Sequence, residues 1–231
     1  MASTPTTATA VVIRPTRGST TTTTTSPAAT TAPAGTVATT TTATPVTSTT
    51  VAPVTQPTAP ATGLAALILT TVPSGYNLQN DDVAQTGPTD LAQAADVDQS
   101  PSARRALLVT GFVTGYQRQW ASPDGFTIDQ IFLYEFQSPK GAQGYAQHWR
   151  DTLVSTNQVG TVLDSFTPAF IPGAFGLKEG DKIGSTAVVM FAKGSYAVEA
   201  TVNGGVGASG APVDQSGPAT SLAVAQYQTL P

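Results

Sequence analysis

The first 60 residues of this chain contain almost none of the side chains from which a hydrophobic core is built. Thr accounts for 24 of them, Ala for 11 and Pro for 8, none is aromatic or acidic, and only Arg14 and Arg17 are charged. Ordering a residue costs about 1 kcal/mol of backbone entropy, and a segment without large apolar side chains cannot offset that cost. We therefore predict that residues 1–62 form a disordered, solvated Thr/Pro/Ala-rich stalk.

The large side chains are concentrated in the rest of the chain. All 16 aromatic and all 14 acidic residues lie after residue 60, beginning with Tyr76 and Asp81. A segment of about 170 residues can bury roughly 70% of the surface that its unfolded chain exposes, which suffices for one hydrophobic core. The chain contains no cysteine, so it has neither disulfides nor thiolate metal sites. We predict a single α+β domain over residues 63–231.

The predicted domain is mildly acidic. The net charge of −4 divides into +2 for residues 1–60 and −6 for the rest, which holds 8 basic and 14 acidic residues. A nucleic-acid surface needs clustered Lys and Arg, whereas here only Arg104 and Arg105 are adjacent. We therefore expect no nucleic-acid partner.

The expected location rests on composition, because no targeting motif is recognisable. The apolar run from Leu64 to Leu69 is far shorter than the roughly 20 residues of a membrane-spanning helix, and residues 1–18 do not resemble a signal peptide. Thr-rich stretches with regular Pro are typical of O-glycosylated stalks. We expect an extracytoplasmic protein whose signal or anchor is not present in this chain. The alternative is an intracellular protein with an unusual tail.

Residues 111–136 have the pattern of a β-hairpin. Its turn is Ser122-Pro123-Asp124-Gly125, in which Pro suits a type I turn and Gly suits the left-handed position of a three-residue loop. That loop length places Ser122 opposite Phe126. In this register the large side chains of both strands share one face, in the cross-strand pairs Trp120 and Ile128, Tyr116 and Phe132, and Phe112 and Phe136.

The same register predicts a polar pair inside this aromatic stripe, with Arg118 opposite Gln130. Two interpretations stay open. In one, this end of the hairpin extends past the core and Arg118 stacks in water on Trp120 or Tyr116. In the other, a groove binds a small apolar or glycan ligand and Arg118 meets an anionic group. The residues of that candidate ligand-binding site are Tyr116, Arg118, Trp120, Gln130 and Phe132.

Further elements are predicted on both sides of this hairpin. Before it we expect an extended segment at Tyr76 to Leu78, a short helix near Thr89 to Ala95 capped by Thr89, and a helical turn at Ser102 to Leu108. After it come a helix from about Pro139 to Leu153, a strand at Thr161 to Phe166, and a long loop at Thr167 to Lys182 that is a candidate lid for the groove.

A second hairpin and a terminal helix complete the prediction. Ser185 to Ala192 pairs with Tyr196 to Val202, which places Phe191 and Tyr196 on one face. The last helix begins near Pro218. Because tight hairpins imply antiparallel pairing, we predict an α+β fold: a twisted antiparallel sheet of about five strands in two hairpins, with helices packed on one face.

Two patterns that might indicate chemistry have simpler explanations. Residues 205–210 match the G-x-G-x-x-G pattern, but the 21 residues that follow are too few for a dinucleotide-binding unit, so we expect a loop. His148 is the one histidine and lies three residues before Asp151, with which we expect it to pair.

The carboxylates of the predicted strands are Asp129, Glu135 and Glu199. A glycosidase would need two carboxyl groups close together with one pKa raised by burial. We instead expect these three side chains at solvated sheet positions. The sequence therefore predicts no catalytic residues, no metal site and no cofactor, and we expect a protein that is not an enzyme.

Part of the sequence resembles a pattern found in actinobacterial cell-envelope proteins. The matching residues are Gly111-Phe112, Gly115-Tyr116, Arg118, Trp120, Tyr134-Glu135-Phe136, Gly141-Ala142 and Gln226. Such proteins are secreted or lipid-anchored α+β domains, some of them similar to sensor domains, and the resemblance covers about residues 64–231. This chain lacks the cysteine that a lipoprotein would need. The resemblance implies location and a non-enzymatic role, and it supplies no catalytic residues.

Together these observations predict a non-catalytic extracytoplasmic binding or sensor module on a stalk. Its partner would be a small apolar or glycan ligand, or an envelope protein. Two alternatives remain. One is a cell-envelope hydrolase that uses, for instance, Asp129 or Glu135 with His148. The other is a structural spacer or partner-docking domain, which predicts no small-molecule pocket.

Overall fold

The computed structural model describes residues 63–79, 86–98, 100–155 and 164–231. The predicted stalk, residues 1–62, lies outside these ranges, and so do the first three residues of the strand expected at Thr161 to Phe166. The strands are β1 (Asn77–Leu78), β2 (Gly87–Thr89), β3 (Phe112–Ala121), β4 (Ile128–Phe136), β5 (Asp164–Phe166), β6 (Phe175–Gly180), β7 (Ser185–Lys193) and β8 (Tyr196–Gly204). The helices are α1 (Leu64–Leu67), α2 (Leu91–Asp98), α3 (Ala103–Thr110), α4 (Pro139–Ser155) and α5 (Ser216–Thr229).

All of these strands belong to one antiparallel sheet. Its order is β1-β3-β4-β8-β7-β6-β5, and β2 pairs with the same edge of β3 as β1 does. The described part of the chain thus has eight strands, more than the roughly five that we predicted. The additional strand β6 lies inside the expected lid loop at 167–182. Its sequence, with two Gly, one Lys and one Glu, has little strand propensity, and it is extended because it pairs between β5 and β7.

Helices cover both faces of the sheet, so the prediction of helices on one face is wrong. Alternate residues of β7 separate the two cores: Val189 and Phe191 pack with α1 and α5, while Val188 and Met190 pack with α2, α3 and α4. We call these sides the α5 face and the α4 face. A strand buried on both sides is expected to be almost continuously apolar, as β7 is.

The register of the first hairpin differs from the prediction by one residue. The backbone N–H of Ser122 donates to the carbonyl of Thr127 (2.9 Å), so the loop contains four residues rather than three. Gly125 is left-handed as predicted, with φ of 72°. Phe126 joins the loop because the Ser122 hydroxyl accepts from the backbone N–H of Thr127 (3.0 Å) and so closes the turn one residue later.

A shift of one residue moves every side chain of one strand to the opposite face relative to its partner strand. Trp120 lies opposite Asp129 and Arg118 lies opposite Ile131, so neither has its predicted partner. A bulge between Phe112 and Thr114 then restores the predicted pair of Phe112 and Phe136.

The second hairpin is confirmed. Lys193 pairs with Tyr196 across a two-residue turn, and Gly194 has φ of 55°. Phe191 and Tyr196 both contribute to the core of the α5 face, as predicted. The helix predicted from Pro139 also begins at that residue.

Asp90 caps α2, so the prediction of Thr89 as the capping residue is wrong. The Asp90 carboxylate accepts from the backbone N–H groups of Ala92 (2.8 Å) and Gln93 (2.9 Å), which is the role predicted for Thr89. The Gln93 side chain accepts in turn from the backbone N–H of Asp90 (2.8 Å), completing a capping box.

Candidate functional site

A pocket of about 440 Å³ opens on the α5 face of the sheet. It lies between the segment that follows α1, the first residues of β4 and the N-terminus of α5. Its walls include Ser74, Tyr76, Asp129, Val202, Gln215 and Leu222. This volume falls within the size range of small-molecule sites.

Asp129 is the acidic residue of this pocket. Its side chain is nearly removed from solvent, with 3% of the residue exposed, and the Ser74 hydroxyl donates to its Oδ2 atom at 2.6 Å. Burial raises the pKa of Asp129, and the bond from Ser74 opposes that shift. The carboxyl group is therefore placed to meet a hydrogen-bond donor or a cation, which would replace part of its lost hydration.

The remaining walls combine the Gln215 amide and the hydroxyls of Thr127 and Ser221 with apolar surface. Gln215 is buried at the residue preceding α5, and Val202 and Leu222 belong to the core of the α5 face. A Cβ atom at Gly204 would lie only 2.1 Å from Nε2 of Gln215, so the glycine makes room for this amide. None of the described lining residues is Lys, Arg or His. The pocket thus suits a neutral or cationic group better than an anionic one.

The five residues of the sequence-predicted site do not form one surface. Tyr116, Arg118 and Trp120 lie on the α5 face, whereas Gln130 and Phe132 lie on the α4 face because of the register shift. Gln130 lies opposite Gln119 rather than opposite Arg118. The predicted grouping is therefore wrong, and a ligand-binding role for any single one of these residues stays a prediction.

Arg118 is occupied by the chain itself. Its guanidinium donates to the carbonyls of Ile68 (2.8 Å), Leu69 (2.7 Å) and Ala65 (3.2 Å). It also lies 5.3 Å from the centre of the Tyr116 ring. The predicted stacking on Tyr116 is thus present, but the contact is buried rather than in water, with Arg118 only 8% exposed.

A second group of polar side chains lies on the α4 face. The Tyr145 hydroxyl donates to Oδ2 of Asp98 (3.2 Å), and the same oxygen lies 3.5 Å from Nε2 of His148. The latter distance exceeds that of a normal hydrogen bond, so His148 and Asp98 are neighbours without a hydrogen bond between them. The expected pair of His148 and Asp151 is wrong, because Asp151 accepts from Gln147 (2.6 Å) and α2 brings Asp98 to the histidine.

Glu199 belongs to the same face and is 6% exposed. Burial raises its pKa to about 8, the bond from Thr201 (3.2 Å) opposes that shift, and the charge of Asp98 adds to it. Solvated positions were expected for Glu199 and for Asp129, and both expectations are wrong because helices cover both faces. Asp129 and Glu135 lie on the α5 face, away from His148, so the suggested catalytic pairs do not form.

No group of three or more His, Asp or Glu side chains within the described ranges could hold a metal ion. No helix in the same ranges has both the length and the hydropathy needed to cross a membrane.

Comparisons with known proteins show a likeness of structure but not of sequence family. No protein-family model matches the sequence, and no characterised protein matches it significantly. Among solved structures, the chain is similar to the extracellular domain of PknH from Mycobacterium tuberculosis, with 13% sequence identity and a TM-score of 0.47. The match covers 71% of this chain and 94% of that chain. A likeness of this degree carries no inference about the function of this protein.

Proposed function

We propose that this chain is a non-catalytic extracytoplasmic binding or sensor module, and that the pocket at Asp129 is its ligand site. The observation that carries the proposal is a buried carboxyl group inside a pocket of about 440 Å³ with apolar walls. The Thr/Pro/Ala composition of residues 1–62 supports a location outside the cytoplasm and a role for that segment as a stalk.

The chemistry of the walls defines the class of ligand. Asp129 and Gln215 can bond hydroxyl or ammonium groups, and Tyr76 offers a ring on which a sugar or an apolar body packs. The ligand is therefore a neutral or cationic molecule that carries donors on an apolar or sugar-like body. Asp129 is the single acid among the described lining residues, whereas glycoside hydrolysis usually needs two carboxyl groups. This supports binding rather than turnover.

The first prediction concerns Asp129. Methyl glycosides and alkylamines serve as probes, and their binding is followed by ligand-observed NMR. In Asp129→Asn the charge is lost while the shape is kept, so we expect affinity for the probe that binds best to fall about tenfold or more, as for loss of a hydrogen bond to a charged group.

The matched control is Asp151→Asn, which alters an exposed carboxylate on α4. It is expected to leave probe binding unchanged. Equal binding by Asp129→Asn and the wild type would exclude this pocket as the ligand site. Hydrolysis of a glycoside by the wild type that is lost in Asp129→Asn would contradict a non-catalytic role.

A further inference from the structure

Residues 64–72 cross the α5 face of the sheet as a short segment, which we call the strap. Three apolar side chains at a spacing of four residues are buried beneath it: Leu64, Ile68 and Val72 are 7%, 2% and 7% exposed. The strap has one helical turn, α1, and then an extended backbone at Ile68. It therefore lies on the domain like a bound peptide with three anchoring side chains.

Arg118 binds the strap only through backbone carbonyls. Its three bonds, to Ala65, Ile68 and Leu69, gather the oxygens around the end of α1. No carboxylate of a described residue forms an ion pair with this guanidinium. The carbonyl dipoles of the strap are thus what replaces water around a buried positive charge.

Gln226 of α5 binds the strap from the other side, and again through the backbone. Its Oε1 atom accepts from the N–H of Leu69 (2.9 Å), and its Nε2 atom donates to the carbonyl of Leu67 (2.9 Å). Thr229 donates to the same carbonyl (2.9 Å). Trp120 adds a longer contact from Nε1 to the carbonyl of Thr70 (3.4 Å). The groove that the strap occupies, between β3 and α5, therefore contacts its backbone as well as its three apolar side chains.

The strap is continuous with the pocket. Directly after Val72, the chain forms the pocket wall with Pro73, Ser74 and Tyr76, and Ser74 donates to Asp129 at 2.6 Å. Gly63 joins Leu64 to the Thr/Pro/Ala-rich sequence of residues 1–62. A movement of the strap must therefore act on both the pocket wall and the point at which that sequence joins the domain.

We propose that the strap is a releasable peptide ligand of its own domain, and that its release and the state of the Asp129 pocket influence one another. A helix of four residues has no stability of its own, so the strap is held only by the groove. When it leaves, water can hydrate the Arg118 guanidinium, which reduces the cost of opening. The sheet beneath keeps its other contacts, so this opening requires less free energy than global unfolding. Coupling to ligand binding rests on the proposed function, whereas release of the strap does not.

Release is tested by hydrogen exchange on the full chain, followed by NMR and mass spectrometry. In Arg118→Met the stem still packs but the three donors are lost, so we expect exchange of the Leu69 amide and of peptides covering 64–72 to accelerate at least tenfold. Amides of β7 and β8 should keep their protection. The control, Arg150→Met, removes an arginine that lies 5.0 Å from the Phe175 ring, and it should leave the strap unchanged.

A milder variant covers the case in which Arg118→Met does not fold. Thr229→Val removes a hydroxyl that bonds the carbonyl of Leu67 and accepts from Nε2 of Gln226 at the edge of the groove, and we expect a smaller acceleration confined to the strap. If the strap of the wild type exchanges only at the rate of the central strands, it is an integral part of the core and release is excluded. An unchanged strap in both variants would also overturn the proposal.

Coupling is tested in both directions without a ligand. Ser74→Ala removes the bond to Asp129, and we expect faster exchange of the strap. The reverse direction uses whichever of Arg118→Met and Thr229→Val folds. There the pKa of Asp129, followed by ¹³C-detected NMR, should move toward its ordinary value, because the loosened pocket wall admits water. If the strap opens while the Asp129 titration stays that of the wild type, coupling is wrong. The proposed ligand site is judged separately, by probe binding to Asp129→Asn, so the two proposals fail independently.

Discussion

Three buried polar residues show how differently a charge-bearing side chain can be accommodated in this domain. The Arg118 guanidinium donates to backbone carbonyls, and the Asp129 carboxylate accepts from a serine hydroxyl. The pKa of Glu199 is raised so far that its carboxyl group keeps its proton near neutral pH. The partners of Arg118 and Asp129 come from another element, and the burial of Glu199 comes from the helices of the α4 face rather than from its own strand. The side chains that matter most chemically are thus defined by their neighbours.

Glu199 gives the domain a stability that depends on pH. Its pKa of about 8 in the folded chain lies above the ordinary value of 4.5, so the folded state keeps a proton that the unfolded state has released. The free energy of unfolding should therefore fall as pH rises from the ordinary pKa to the folded one, by up to about 1.4 kcal/mol for each pH unit. Above that interval the contribution is constant.

Substitution of Glu199 by Gln tests this prediction. The amide keeps the shape and cannot ionise, so the fall in stability between pH 5 and pH 8 should become shallower, and the variant should be the more stable protein at pH 8. Urea denaturation at several pH values measures both effects. Glu135→Gln, on the α5 face, is the control and should retain the slope of the wild type. The same slope in Glu199→Gln would show that Glu199 is not the responsible group.

At the scale of elements, α3 and α4 approach each other closely at Gly141. A Cβ atom at Gly141, in the first turn of α4, would lie 2.1 Å from the carbonyl oxygen of Thr110, at the end of α3. Because that oxygen belongs to the backbone, it cannot rotate away as a side chain would. The glycine therefore sets the distance between the two helices.

Gly141→Ala should destabilise the domain by about 1–3 kcal/mol or more, since overpacking moves one helix. Gly217 offers a matched control in α5, because a Cβ atom there would meet nothing within 4 Å. We expect Gly217→Ala to leave stability unchanged or to raise it by less than about 1 kcal/mol, through helix propensity. Urea denaturation of both variants measures the difference. Equal stability of the two would contradict the close approach of α3 and α4.

At the scale of the whole described domain, a sheet is covered on both faces, and the protection of its amides against exchange should follow the strand order. β8 and β7 lie at the centre with helices on either side, whereas β1, β2 and β5 are short strands at the edges. We expect the slowest amide exchange in β7 and β8, and rates that increase toward both edges. Hydrogen exchange followed by NMR measures this order. Uniform exchange across the sheet would show that the domain opens only as a unit.

Local patterns were sufficient for many elements of this fold. The helix beginning at Pro139 and the hairpin around Gly194 were predicted correctly, because side-chain periodicity and turn chemistry act over a few neighbouring residues. The left-handed Gly125 was also predicted. The register was not, because the choice between a three-residue and a four-residue loop depends on the side-chain bonds of Ser122 in the folded turn.

The sequence by itself determined where the large side chains are, the antiparallel character of the sheet and most of its long elements. Only the tertiary structure decided that both faces of the sheet are covered, and with that the burial of Asp129 and Glu199. It also decided that Arg118 holds the chain's own strap rather than facing an open groove, a contact that spans about 50 residues. The physical reason is the sequence distance over which the interactions act. Helical periodicity and turns depend on residues close in sequence, whereas the burial and the pKa of a side chain depend on distant elements that pack against it.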